Sequence, residues 1–381
     1  VRAALDGLRE LPLLMWTFSP SESLPDFVPF QRMIQGSGAV CTLQLSGMLR
    51  RGGYRYRSVV GHAGEAELWR ELEIRTRAMA IARRLRGLRV GVLPFPCDQM
   101  STTYVDEFAL RSRYGVEMRY LELERVRRTA QELAPEAIES LRRQIESSGQ
   151  KIGVDERNLT EGIKYALALE RVMEEEHLEV LAMNDVIEEM HASFGLRPCL
   201  TNPRLCASGA VVSMEADIAA GLCMYILRCH SAQAPFYTET FSVDYAANAL
   251  LLGHAGYHDT VNADPDLPVQ IVSDVEYENS DRFSGAVSFF KYRSGPVTVV
   301  NSVWDGEKLK WVVAQGESLP GPAKMDGNSH LFCRLDVPVR EFFRQSVESG
   351  VSQHWIVISG NHGRALSELC EQLDIRLIRL G

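Results

Sequence analysis

The arrangement of apolar runs along the chain constrains its fold more than any other feature. Between residues 88 and 184, short apolar runs alternate with longer segments that have the periodicity of amphipathic helices. Runs of this kind, ended by proline or polar residues, are typical of strands buried in a parallel sheet. The alternation therefore predicts a doubly wound α/β sheet, in which ligands bind at the carboxyl ends of the strands.

The pattern changes after about residue 205. An apolar helix near residues 216–229 is followed by short β-rich runs, which are separated by turns rich in Gly, Asp, Asn and Pro. This pattern predicts a largely antiparallel, β-rich domain. Its predicted strands are residues 269–275, 286–292, 297–303, 310–313, 330–337 and 354–359.

The first part of the chain has the pattern of an α/β domain whose first strands are absent. The sequence begins with Val rather than Met, so we expect the natural start to lie upstream. The predicted elements here are strands at residues 11–18, 39–45 and 54–60, and a long helix at residues 64–85.

Length and composition indicate several packed domains. A chain of 381 residues exceeds one ordinary domain. The hydrophobic content of 45% is spread along the chain, which supports packed cores rather than disorder. We predict an N-terminal α/β domain at 1–86, a second α/β domain at 87–205, and a helix plus β-rich domain at 206–381.

Charge and hydropathy narrow the class of partner. The net charge of −9 and the pI of about 5.6 argue against a nucleic-acid partner, which usually requires a basic face. No apolar run reaches the roughly 18 residues of a membrane span, and no leader sequence is recognisable. We therefore expect a cytoplasmic protein that does not contact a membrane.

Glycine-rich nucleotide loops and Gly-x-Ser-x-Gly nucleophile motifs are also absent from the sequence.

Two acids and one histidine are the leading site candidates. Glu215 begins an apolar helix, Glu239 lies in a strand-like aromatic run, and His362 lies in a Gly-Asn-His-Gly turn. Two carboxylates and an imidazole suit a hard divalent cation such as Mn²⁺, and the carboxylates could act as acid and base beside it. Each residue also has a structural alternative: a helix-start acid, a solvent-facing strand residue and a plain turn histidine.

Four further residues are candidates for binding substrate. Asp217 lies two positions after Glu215, and Asn361 precedes His362. His254 and His258 stand four residues apart, a spacing that binds metal when the residues are helical. Their flanking glycines disfavour a helix, so we expect them at the rim of a pocket rather than as metal ligands.

The chain resembles a distant member of the L-fucose isomerase and L-arabinose isomerase superfamily. The resemblance covers most of the chain and depends on four motifs in shared order: Met-Glu-Ala-Asp-Ile-Ala-Ala-Gly-Leu-Cys-Met-Tyr, Phe-Tyr-Thr-Glu, Tyr-Arg-Ser-Gly-Pro-Val and Gly-Asn-His-Gly. Val-Val-Gly-His is also similar to a segment of the arabinose isomerases.

The resemblance implies two α/β domains followed by a β-rich domain, and a site in which Glu215, Glu239 and His362 bind Mn²⁺, with Mg²⁺ or Co²⁺ as alternatives. It implies aldose–ketose interconversion through an enediol. One glutamate would move a proton between C1 and C2, and the other would serve the hydroxyl protons. It also implies a homo-oligomer whose neighbouring subunit completes the pocket.

The chain departs from the arabinose isomerases in having no histidine between His258 and His330, so a three-ligand, fucose-isomerase-like site is the better fit. No phosphate cradle is evident, which favours an unphosphorylated pentose or 6-deoxyhexose. Two alternatives stay open: a non-catalytic sugar-binding or regulatory protein, and a related epimerase or lyase that uses the same metal–enediol chemistry.

Overall fold

The computed structural model describes residues 11–19, 22–277 and 285–381. The chain divides into two compact units, residues 1–83 and residues 84–381. The further division of the chain at residue 205 stays a prediction.

The first unit contains a parallel pair of strands. Strand β1 (Leu13–Ser19) pairs in parallel with β2 (Tyr56–His62). A parallel pair needs a crossover connection, which is usually helical. Helices α1 (Phe30–Gln35) and α2 (Gly38–Arg51) provide it, and α3 (Ala66–Leu85) follows β2.

The strand predicted at residues 39–45 is wrong. These residues belong to α2, in which Leu49 is the buried residue. A short apolar run does not by itself distinguish a strand from a helix, and here the crossover between β1 and β2 requires a helix.

The second unit begins with a parallel sheet flanked by helices. Its four strands lie in the order β4-β3-β6-β7, and every pair is parallel, which confirms the doubly wound prediction for this region. The elements are β3 (Arg89–Leu93), α4 (Glu107–Tyr114), β4 (Glu117–Tyr120), α5 (Leu123–Gln131), α6 (Pro135–Ser147), β5 (Lys151–Ile152), α7 (Glu156–Glu176), β6 (Val180–Met183), α8 (Glu188–Phe194), α9 (Pro203–Ser208), β7 (Val211–Ser213) and α10 (Ile218–Ser231).

The rest of the second unit is β-rich, as the sequence predicts. Its elements are β8 (Phe236–Asp244), β9 (Ala249–His254), β10 (Gln270–Ser273), β11 (Ala286–Phe289), β12 (Gly295–Trp304), β13 (Leu309–Ser318), β14 (Ser329–Leu335), α11 (Val339–Ser349), β15 (His354–Ser359), α12 (Gly363–Leu373) and β16 (Arg376–Arg379). A small separate sheet has the order β11-β10-β5.

The described strands of the main sheet close on themselves. Antiparallel pairs run in the order β12-β15-β8-β9-β14-β13, and β13 pairs again with β12. Strand β16 adds in parallel to β13. Buried side chains from these strands, including Phe236, Leu252, Val299 and Trp355, form one core cluster. The closed sheet is therefore a rigid support for residues at the strand ends.

Among the helices that the structure describes, none combines the length and the apolar character needed to cross a membrane.

Candidate metal centre

Three segments of the second unit bring metal-binding side chains together. Glu215 follows β7, His254 is the last residue of β9, and His354 is the first residue of β15. One ligand atom from each residue lies within 4.8 Å of the other two. Among the described residues, these three form a His/Glu group that is close enough together to hold a metal ion. The cluster joins the carboxyl end of the parallel sheet to the closed antiparallel sheet.

The two histidines face different oxygens of Glu215. His354 Nε2 lies 2.9 Å from Oε2, and His254 Nε2 lies 3.5 Å from Oε1, which is beyond hydrogen-bond length. His254 Nδ1 donates to the carbonyl of Ala255, and in the neutral ring this tautomer leaves the lone pair on Nε2, where a metal can bind. That Nε2 is buried and has no hydrogen-bond partner in the described structure. An orphaned imidazole nitrogen aimed at a carboxylate fits a site for a cation.

Asp217 lies behind His354. Its Oδ2 is 2.7 Å from His354 Nδ1, and both side chains are buried. Its Oδ1 accepts from the backbone amide of Ala220 at 2.8 Å and so caps α10. A carboxylate that accepts from the ring nitrogen not used for metal binding, here Nδ1, fixes the tautomer and the ring orientation that metal binding requires.

Burial and charge shift the pKa values of the cluster in opposite directions. Burial opposes ionisation of Glu215, but His254 and His354 outweigh it and hold the pKa of Glu215 well below its usual range. Burial also opposes protonation of His354, yet Asp217 and Glu215 raise the pKa of His354 to about 9. Since both ring nitrogens face a carboxylate, the imidazolium form of His354 satisfies both, and a cation would displace the proton on Nε2.

Tyr237 packs between the two histidines. Its ring centroid lies 4.9 Å from that of His254 and 4.7 Å from that of His354. The hydroxyl donates to the carbonyl of Met214 at 3.1 Å, and the side chain is fully buried. Tyr237 therefore holds both imidazole rings and the residue before Glu215 in one packed arrangement.

Gly256 permits the close approach of the loop after His254. Its φ of +136° favours glycine, and an added Cβ would lie 2.7 Å from the Cγ of Met214. The absence of a side chain at this position lets the His254 and Glu215 segments meet.

Glu239 lies beside the cluster but is outside it. On β8 it is paired with His354 of β15 on one side and with Gly253 of β9 on the other. Its half-buried carboxylate has no hydrogen-bond or ion-pair partner among the described residues. The backbone register thus places an uncommitted acid next to both histidine-bearing strands.

The structure does not bring His362 or Asn361 to Glu215. Both follow the far end of β15, and the strand itself spans about 17 Å from His354 to Ser359 at roughly 3.3 Å per residue. His362 Nε2 lies 2.9 Å from the carbonyl of Ser359, and its ring centroid is 5.3 Å from that of His230. The Asn361 Oδ1 accepts from Gln315.

The remaining substrate candidates have distinct positions. His254 belongs to the cluster itself, and Asp217 supports it from behind. His258 is buried, donates from Nε2 to the carbonyl of His254 at 2.9 Å, and packs on Phe236. Burial lowers the pKa of His258 to about 3, so this ring stays neutral.

The sequence did not identify His354 or Gln353 as candidates for the site. Gln353 Nε2 donates to Glu215 Oε2 at 3.3 Å and lies 3.0 Å from the sulfur of Met100. The only sequence signal was the placement of these two polar residues immediately before the apolar run Trp-Ile-Val-Ile. A histidine at the start of a buried strand attracts less attention than one in a glycine turn, although either strand end can border a site.

Comparisons with known proteins provide evidence about the class of reaction. No protein-family profile matches the chain. The chain is similar to the sulfoquinovose isomerases of Priestia aryabhattai and Priestia megaterium (strain ATCC 12872 / QMB1551), each 23% identical over 338 residues. The matches cover 87% of this chain and 73% of each relative. The likeness supports a distant relationship to a sugar isomerase.

Proposed function

We propose that the chain is a divalent-metal-dependent aldose–ketose isomerase that acts on an unphosphorylated sugar. The observation that carries the proposal is the convergence of Glu215, His254 and His354, with the buried Nε2 of His254 left without a hydrogen-bond partner. The similarity to sulfoquinovose isomerases supports the reaction class.

In this proposal Glu215, His254 and His354 are the metal ligands, and Glu239 lies beside them without binding the metal. His354 takes the place that the sequence prediction gave to His362. A mixed set of carboxylate and imidazole ligands suits Mn²⁺ or Co²⁺ better than Mg²⁺, which prefers an all-oxygen octahedron. A divalent ion held there would supply Lewis-acid polarisation of a sugar carbonyl.

Glu239 is the proposed carbon base. Both oxygens of Glu215 face histidines, whereas the carboxylate of Glu239 has no such commitment in the described structure. For an aldose, Glu239 would take the proton from C2 and return it to C1 on the same face. The hydroxyl proton would pass from O2 to O1, which balances the reaction without an external oxidant or reductant.

The substrate and the assembly belong to the same proposal. The proposed substrates are a pentose or a 6-deoxyhexose, as the sequence predicts, or sulfoquinovose, for which the two relatives are named. We also propose a homo-oligomer in which a neighbouring subunit covers the exposed side of Glu239.

The test measures metal content and turnover on the same purified protein. Mn²⁺ binding is followed by electron paramagnetic resonance, and products are followed by NMR over a panel of aldoses that includes sulfoquinovose. We expect E215Q and H354Q to lose Mn²⁺ binding and turnover together. We expect E239Q to lose turnover while it keeps most of its affinity for Mn²⁺.

Two matched controls accompany these variants. H330Q alters a buried histidine of β14 outside the cluster, and E317Q alters an exposed acid of β13. Both should bind Mn²⁺ and turn over as the wild type does. Sugar binding without turnover in the metal-loaded wild type would favour a sensor, and an epimer or a cleaved product would favour the related enediol enzymes. Either outcome would overturn the isomerase proposal.

A further inference from the structure

A buried acid that the sequence analysis did not single out contacts the backbone of Glu215. Asp185 follows β6 at the carboxyl end of the parallel sheet and is fully buried. Its Oδ1 accepts from the backbone amide of Glu215 at 2.7 Å. A side chain from one strand end thus binds the main chain of the residue that presents its carboxylate to His254 and His354.

The backbone that Asp185 binds is strained. Glu215 has a φ of +57° and Ala216 a φ of +52°, and neither residue is a glycine. The carbonyl of Met214 accepts from the amide of Asp217 at 3.1 Å, which closes a turn whose two central residues both have positive φ. Such turns are dominated by Gly, Asn and Asp, and other residues keep this conformation only where their surroundings enforce it.

Two residues at the end of β6 hold the turn by accepting hydrogen bonds from two consecutive backbone amides. The carbonyl of Met183 accepts from the amide of Ala216 at 2.9 Å, and Asp185 accepts from the amide of Glu215. The Met183 contact is made by two backbone groups, so it does not depend on the side chain of Asp185. The Asp185 contact depends on one carboxylate oxygen.

Arg197 explains how a fully buried carboxylate is kept in place. Its guanidinium binds both oxygens of Asp274, at 2.7 and 2.6 Å, and donates to Glu276 at 2.8 Å. Its Nη1 also lies 3.6 Å from Oδ2 of Asp185, which has no hydrogen-bond partner in the described structure. The attraction of Arg197 for Oδ2 leaves Oδ1 directed at the Glu215 amide.

We propose that Asp185 is a positioning residue of the metal centre: held opposite Arg197, it fixes the strained turn that aims Glu215 at His254 and His354. The inference rests on the proposed function only in treating these three residues as metal ligands. Asp185 does not contact the cluster through its own carboxylate, and its effect passes through the main chain of Glu215.

The test compares Mn²⁺ affinity, measured by electron paramagnetic resonance without sugar, in the wild type, D185A and D185N. D185A removes the acceptor and should weaken binding by about 10- to 100-fold, the range found when groups that orient metal ligands are removed. D185N keeps an acceptor oxygen for the Glu215 amide and should lose less than D185A. D264A is the matched control, because it removes the partner of buried Lys291 outside the cluster and should leave Mn²⁺ affinity unchanged.

A second substitution separates positioning from general stability. Glycine adopts positive φ at little cost, so A216G in the D185A background should recover part of the lost Mn²⁺ affinity. A merely structural role would change melting temperature in D185A without this recovery. Wild-type Mn²⁺ affinity in D185A would overturn the inference.

Crystal structures of metal-free wild type and D185N keep the test decisive. If the wild type binds no Mn²⁺, the proposed function fails, but the position of Glu215 can still be compared. Should D185A not fold, D185N decides: its neutral amide loses the attraction of Arg197, so we expect a smaller shift of the Glu215 carboxylate and a smaller but measurable loss of Mn²⁺ affinity. An unchanged 2.9 Å contact from Glu215 to His354, with unchanged affinity, would overturn the inference.

Discussion

Substitution of Asp217 by Asn tests how the cluster is built. Asn keeps an oxygen that can accept from the Ala220 amide, so the cap of α10 survives. Its amide group, however, presents N–H donors to His354 Nδ1 in place of a carboxylate oxygen. The imidazole would then favour the tautomer that carries its proton on Nε2, the nitrogen that faces Glu215.

The expected loss can be estimated. Removal of a carboxylate behind a metal-bound histidine weakens metal binding by about 10- to 100-fold, or about 1.4 to 2.7 kcal/mol. In the metal-free protein, the raised pKa of His354, about 9 against an ordinary 6.5, corresponds to about 3 kcal/mol of stability. Because the folded-state pKa is the higher one, that stability is fully present below pH 6.5 and is lost as the pH rises through 9. D217N should lose much of it.

Mn²⁺ titrations at pH 7 and urea unfolding of the metal-free protein at pH 6 and pH 9 provide the assay. We expect weaker Mn²⁺ binding and a smaller difference in stability between the two pH values in D217N than in the wild type. If D217N instead raised KM for the sugar and left both quantities unchanged, Asp217 would be a substrate ligand and the reasoning would be refuted.

Three other outcomes are expected. Apparent Mn²⁺ affinity should rise as the pH increases from 6 to 9, because binding must displace the proton of His354; an affinity independent of pH in the same titration would contradict this. G256A should lower the melting temperature and weaken Mn²⁺ binding, since the new Cβ meets Met214, the residue before Glu215; a variant with wild-type values would show that the loop adapts freely. L331A truncates a fully buried side chain of β14 and should lower the free energy of unfolding in urea by about 2–5 kcal/mol, with Mn²⁺ affinity unchanged. A loss of Mn²⁺ affinity would show that the core and the site are coupled.

Much of the fold was predictable because its elements have clear periodicities. The strand predicted at residues 354–359 has the same bounds in the structure, since an apolar run bounded by polar residues defines it. The start of α4 was harder to predict: Ser101 and Thr102 precede it but lie in a short 3₁₀ turn, and Asp106 caps α4 by accepting from the amide of Ala109. Several residues near a helix start can cap it, and tertiary packing decides among them.

The site was less predictable because it depends on strand direction and register. Glu215 was recognisable from its place before an apolar helix. Whether His354 or His362 joined it depended on which end of β15 contacts Glu215, and the spacing of residues along the sequence does not determine this. The roles of Asp185 and Arg197 required long-range contacts that no local pattern encodes.

Anomalous scattering from a crystal grown with Mn²⁺ tests the central claim most directly. The account predicts one strong peak within bonding distance of Glu215 Oε, His254 Nε2 and His354 Nε2, with Glu239 beside it. A peak bound instead by His362, or no peak at the cluster while the three side chains keep their present positions, would contradict it.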